Sequence, residues 1–226
     1  MTRQTGRQRE TGPRETVPGL ADGRPSVRLR AALAAGTAPD PGYVEHLVAR
    51  CAVEPDFSVR EMLTWALTRH PADRTVPTLV AEVRAPGAQA RAQAWHTLSK
   101  IGDRRAWPAV TPAALADPDD EAARSAWRAA VTLVPADAAG PLATLLSGQL
   151  GRGPRETRRS LSRALIALGE AMDAPLRAAL TDPDPRVRAH AIATERLARD
   201  PESGFDSAIE EARRVVALGP TDGSER

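Results

Sequence analysis

"DPDPRVRAH", residues 182–190, is the stretch whose reading decides the fold. Asp184 ahead of Pro185 suits a helix start: its carboxylate can accept from free backbone N–H groups, and proline needs no donor in a first turn. The pattern of a small or branched residue followed by arginine, here Val187-Arg188, recurs upstream. It stands at Thr157-Arg158, Ala123-Arg124, Ala90-Arg91, Val59-Arg60 and Val27-Arg28, in steps of 30, 34, 33, 31 and 32 residues. A second column keeps step seventeen positions later, with Pro77, Pro108, Pro141 and Pro175 following Arg60, Arg91, Arg124 and Arg158. Two columns in register at this period predict stacked helical repeats. Each unit reads as an Ala/Leu-rich helix with the arginine near its start, a turn rich in Asp, Pro and Gly, and a helix with proline near its beginning.

These columns resemble HEAT-like repeats of the short bacterial kind grouped with phycobilisome-lyase-type repeats. The core D-x-x-V-R-x-x-A is matched best by "DPRVRAHA" and "DFSVREML", and more weakly by "DDEAARSAW". The resemblance implies an all-α, right-handed α-solenoid of about six helix pairs over residues 23–219. Residues 1–22 are expected to be a flexible arm, with at most a half-repeat near Val17–Ala21, and residues 220–226 a disordered tail. The segment Ser203–Leu218 reads as a last charged helix that caps the stack. In such arrays the arginine column (Arg28, Arg60, Arg91, Arg124, Arg158 and Arg188) is structural, hydrogen-bonding to acidic turns of neighbouring units. Exposed pairs of that kind contribute only about 0 to 1 kcal/mol each, so apolar contacts are expected to dominate stability.

The bulk composition agrees. Hydrophobic residues make up 42% and aromatics 3%, so the core must be built mainly from Ala, Leu and Val, which suits close helix packing. No apolar run approaches the length of a membrane span and no signal-like segment opens the sequence, so a cytoplasmic location without membrane contact is expected. The single cysteine, Cys51, forms no internal disulfide and reads as a buried small side chain. The first 24 residues carry five arginines against three acids, which leaves 26 basic and 26 acidic residues for the repeat body. A neutral body is poor evidence for a sequence-independent grip on nucleic acid, which works by neutralising many phosphates.

Function is sought on the face opposite the core. Counting each arginine as zero, positions −1, +3, +6, +7 and +10 form an apolar stripe that includes Trp127, and +1, +4, +5 and +8 fall on the open side. That side is expected to line a concave groove and to carry Glu61, Trp65, Trp95, His96, Arg128, Arg159 and Arg163. Tryptophan and arginine are enriched at binding hot spots. The run "GRGPRETRRSLSRAL" (151–165) adds Arg152, Arg155 and Arg158 as a basic patch, with Arg155, Arg159 and Arg163 on one helical face. An acidic peptide, a phosphate or a nucleic-acid backbone could dock there.

Signals for chemistry are weak. His46, His70, His96 and His190 are scattered, with no H-E-x-x-H or C-x-x-C, and read as surface or helix-end residues, so no metal and no cofactor are expected. Iron hydroxylases with HEAT-like repeats use His-Glu pairs, and no His-Glu dipeptide occurs in this sequence. The reading is a non-catalytic scaffold that binds another protein or an acidic peptide in its concave groove. The alternative is nucleic-acid binding, or lesion recognition of the alkylpurine DNA glycosylase kind. In that reading Trp65, Trp95, Arg128, Arg159 and Arg163 hold the nucleic acid, and Glu61 is the sole acid on the predicted inner face.

Overall fold

The structure, a computed structural model, describes residues 17–201 and 204–218. Twelve α-helices follow one another with no strand among the described residues. The arginine column rides on every second helix: α1 (Pro25–Thr37), α3 (Phe57–Arg69), α5 (Ala88–Ile101), α7 (Asp120–Leu133), α9 (Arg155–Ile166) and α11 (Pro185–Arg199). Between them lie α2 (Val44–Val53), α4 (Ala72–Glu82), α6 (Pro112–Leu115), α8 (Ala139–Ser147) and α10 (Asp173–Ala179), and α12 (Phe205–Leu218) closes the series. The arginine helices stack on one another in one layer, and α2, α4, α8 and α10, with α6 and the 3-10 turn at 104–109 between them, stack in a second. This is an α-solenoid. Its helix pairing is shifted from the sequence-based one: α2 packs on α3, α4 on α5, and so on to α10 on α11, so each arginine helix from α3 onward pairs with the second-layer helix before it.

The prolines fall where the second layer starts its helices imperfectly. Pro141 and Pro175 sit just inside α8 and α10, each entered through a 3-10 turn, Pro108 lies within the 3-10 turn 104–109, and Pro77 is inside α4. The second layer is therefore made of shorter helices. The arginine helices run longer and are packed through alanine: in α7, Ala122, Ala123, Ala126, Ala129 and Ala130 are all buried. Small side chains let neighbouring axes approach closely, and the remaining volume is filled by a few large residues such as Leu63, Leu98, Trp95 and Trp127. Trp127 donates its indole N–H to the Leu115 carbonyl at 2.8 Å, so its burial leaves no polar group unsatisfied. Cys51 is buried as expected, and burial pushes its thiol up to about 12.

One boundary moves. Val17 and Leu20 are buried in the main core against α1, so the packed body begins before residue 23. The remainder of the expected N-terminal arm (1–16) and the C-terminal tail lie outside the described residues. At the other end α12 packs mainly on α11, where Phe205, Ala208, Ile209 and Ala212 meet Ala189 and Ala193 in a small core of their own.

The opening motif has a clear physical role. In the turns "EPD", "DPDD" and "DPDP", the first acid accepts the backbone N–H two residues on: Glu54 from Asp56, Asp117 from Asp119, Asp182 from Asp184. The second acid then caps the helix, as Asp56 does for Val59 N–H and Asp184 for Arg186 N–H. The column arginine reaches back and donates to the two carbonyls five and six residues before it, in Arg28, Arg60, Arg91 and Arg188 alike. A guanidinium is thus clamped across each of these four turns.

The expected ladder between units forms at two places, and there it is buried rather than exposed. Arg28 pairs bidentately with Glu54 at 2.7 Å, with side chains 5% and 0% exposed, and Arg91 pairs with Asp117 at 2.7 and 2.8 Å. Arg50 adds a third donor to Glu54. Burial alone would raise the Glu54 pKa, but Arg28, the Asp56 N–H and Arg50 outweigh it and hold the carboxyl at about 2. Arg124 and Arg158 break the column. Arg124 pairs with Glu121 on its own helix, and Arg158 bonds neither a turn carbonyl nor an acid among the described residues. Arg152 takes over instead, bonding Asp120 and the Asp117 carbonyl while its guanidinium lies 6.0 Å over the Trp127 ring.

Candidate functional site

The open side of the arginine-helix layer is narrower than the sequence reading made it. Position +4 points into the seam between successive helices, and Thr64, Trp95 and Ser162 are buried there. Thr64 meets Thr97 of α5 at 3.4 Å, and Ser162 meets Thr194 of α11 at 2.8 Å. Trp95 is therefore a core residue, 1% exposed, and cannot contribute to a binding face. The physical reason is that a helix inside a stack is covered on three sides, which leaves mainly a strip near +1, +5 and +8 in contact with water, with Arg128 at +4 of α7 reaching out past the seam.

Trp65, at +5, does reach that strip and is 39% exposed. Its ring lies across α1 because residue 36 is glycine: a Cβ there would stand 2.3 Å from the Trp65 ring. Glu61 and His96 meet next along the face, with carboxylate and imidazole 3.2 Å apart. Burial lowers the His96 pKa, with Glu61 opposing, so the imidazole is neutral at pH 7. The Glu61 carboxylate thus faces His96.

A convergence of charge lies further on. Lys100 of α5, Arg124 and Arg128 of α7, and Arg159 and Arg163 of α9 line one groove of about 440 Å³, with Glu156 the single acid in its wall. Arg128 is held by Ser125 at 2.8 Å and lies 3.5 Å from Glu121. Burial lowers the Arg128 pKa, with Glu121 opposing and the neighbouring Arg124 adding to the effect of burial. Among the described residues no acid lies within ion-pair distance of Lys100, Arg159 or Arg163. The groove is thus locally cationic although the repeat body as a whole is neutral.

The site residues expected from the sequence thus divide. Arg128, Arg159 and Arg163 come together, and Lys100 and Arg124 join them; the sequence offered a signal for these two only in their place at +9 and zero of consecutive helices. Trp65 and the Glu61–His96 pair stand apart from the groove wall. The basic patch does not form as a unit: Arg152 is spent on the turn of the preceding unit, Arg155 pairs with Glu156 and with Asp206 of α12, and Arg158 lines a different pocket under α12. His190 is not a surface residue. It is fully buried, accepts the Gly151 N–H on Nδ1 at 3.0 Å and donates from Nε2 to the Arg158 carbonyl at 3.0 Å, so it is a neutral staple between α11 and α9. Among the described residues no three His, Cys, Asp or Glu side chains stand together as a potential metal site. No helix among them is long and apolar enough to cross a membrane.

The fold and its turn chemistry define a helical repeat protein, and a family model described as HEAT repeats matches residues 44–131. That stretch, α2 through most of α7, is therefore a run of HEAT repeats, with the same arginine-helix stacking continuing on both sides of it. No curated protein matches the sequence. Among solved structures, an engineered protein is similar at 18% identity, covering 87% of this chain and 95% of its own, with a TM-score of 0.46. The complex of CpcE and CpcF of phycocyanin lyase from Nostoc sp. PCC7120 is similar at 18% identity, 93% and 91% coverage and a TM-score of 0.45. Human deoxyhypusine hydroxylase in complex with glycerol matches at 18% identity, 89% and 94% coverage and a TM-score of 0.43.

Proposed function

We propose that this protein is a non-catalytic repeat scaffold whose groove across α5, α7 and α9 binds an acidic segment of a partner protein. The observation that carries the reading is the gathering of Lys100, Arg124, Arg128, Arg159 and Arg163 around one groove, where Glu156 is the one acid in the wall and Glu121 partners only Arg124 and Arg128. Arginine offers a planar fork matched to carboxylates, and several fixed along a rigid layer recognise a spaced row of them. Pre-organisation favours such binding, because the helices are held by their own core and lose little freedom on association.

The nucleic-acid alternative loses its specific support. Trp95 is not available for stacking, Trp65 is outside the groove, and Glu61 faces His96. A five-cation groove would neutralise only a few phosphates. The test is the affinity for a fluorescent Asp/Glu-rich peptide, compared with single-stranded DNA of equal charge. Exposed pairs contribute about 0.2 to 1 kcal/mol each, and reversal counts twice, so Arg159→Glu with Arg163→Glu should remove about 2 kcal/mol, roughly thirtyfold. Reversal of Arg30, exposed on α1, should leave affinity unchanged. Equal or tighter binding of the DNA would overturn the protein-partner reading.

A further inference from the structure

The cationic groove does not end at α9. Arg159 and Arg163 also form the near wall of a second pocket of about 360 Å³, whose remaining wall is largely apolar: Ile166 of α9 with Ala167 just after it, Leu197 of α11 with Pro201 just beyond, and Phe205 at the start of α12. The two pockets share Arg159 and Arg163 in their walls. The chain also shows what this side of the layer accepts. Its own α12 lies over α11 with Phe205 turned inward, 6.2 Å from the His190 ring, and the adjacent Asp206 pairs with Arg155 of α9. An apolar anchor beside a carboxylate is thus already one occupant of the α9–α11 end.

Resting on the function proposed above, we infer that the partner segment is bipartite: a run of acidic residues over α5, α7 and α9, joined to one aliphatic or aromatic side chain seated in the pocket between α9, α11 and the start of α12. The groove's charge gives attraction with little selectivity, since any acidic stretch satisfies it. The apolar pocket supplies the selectivity, because only a segment with an apolar residue at the right spacing fills it while its acids meet the arginines.

The peptide, not the protein, carries the first variation, so folding does not enter. Acidic peptides of equal charge are titrated into the full chain, one set ending in Leu after spacers of differing length and one ending in Ser, with the reversed order as a second pair of sets. One Leu set should bind about tenfold tighter than its Ser counterpart, through burial of the aliphatic side chain. The overall affinity should fall with added salt while that ratio persists, since screening acts on the charges alone. Leu197→Ser, checked for an unchanged melting curve at the α5–α9 units, should abolish the ratio and leave the affinity for the Ser peptide unchanged. If Leu and Ser peptides bind equally at every spacing and in both orders, the bipartite inference is overturned and the acidic-groove reading stands. If neither set binds, the acidic-groove reading itself fails.

Discussion

Replacing Glu54 by glutamine keeps the shape of the side chain and removes its charge at the most deeply buried ion pair described. The glutamate receives four donors: Arg28 Nη2 and the Asp56 N–H on Oε1, and Arg28 Nε and Arg50 Nε on Oε2, at 2.7 to 3.0 Å. Each oxygen is already taken by donors, so whichever one becomes the amide nitrogen must point N–H groups at N–H groups. Arg50 is 21% exposed and can turn to water; Arg28, 5% exposed, cannot. Breaking a buried pair from one side costs about 3 to 5 kcal/mol. For a domain of this size each kilocalorie shifts the melting temperature by about 2 to 4 °C, so Glu54→Gln should lower the first transition by roughly 6 to 20 °C. Because units interact mainly with their neighbours, that loss should concentrate in α1–α3 and show in hydrogen exchange there before α7–α11 respond. Removing both charges, Arg28→Met with Glu54→Leu, should recover most of the loss, since an apolar pair of similar volume is often as stable as a buried ion pair. Calorimetry and exchange on the four members of this cycle check the argument. A Glu54→Gln protein within about 1 kcal/mol of wild type would refute it.

Other consequences follow from the same geometry. Burial holds His190 at about 4, below its ordinary 6.5, with the bond to the Arg158 carbonyl only partly opposing. A depressed imidazole pKa stabilises the fold above 6.5 and loses that stability as pH falls through 6.5 toward 4, about 3 kcal/mol in all; denaturant melts at pH 7 and pH 4 should differ by that amount and less in His190→Phe. Gly36→Ala should cost about 1 to 3 kcal/mol by overpacking, and Trp65→Ala should restore only part of it, because the new Cβ also stands 2.9 Å from the Ala66 Cα. Thermal denaturation of the two single variants and the double variant measures this. Trp95→Ala should cost about 3 to 5 kcal/mol as a core cavity, whereas Trp65→Ala should cost less and should reduce the emission open to aqueous quenchers, leaving the part from half-buried Trp107.

Much of the architecture was legible in the sequence because it is written locally. The acid-Pro-Asp turns, the helix caps and the arginine four residues into each helix are all short-range, and their period betrays the stacking. What the sequence hid is what depends on the third side of each helix. Trp95 and Arg128 both sit at +4 on consecutive helices, yet one is sealed in a seam and the other reaches the groove, because the neighbour's side chains decide between them. The Arg28–Glu54 ladder was legible as a pairing between units, but its burial was not: the members lie 26 residues apart, and only the stacking seals them from water. Charge tells the same story. The neutral sum of the repeat body conceals that turns and ladders consume much of the acid, which leaves the α5–α9 strip cationic.

The most direct measurement of the groove's role is the dissociation constant of an Asp/Glu-rich peptide for the wild type, for the Arg159→Glu/Arg163→Glu protein and for an Arg30→Glu control, all shown to share one melting curve. Affinity lost about thirtyfold in the double reversal alone is the expected result. Equal affinity across all three proteins would contradict the assignment of the α5–α7–α9 groove as the binding surface.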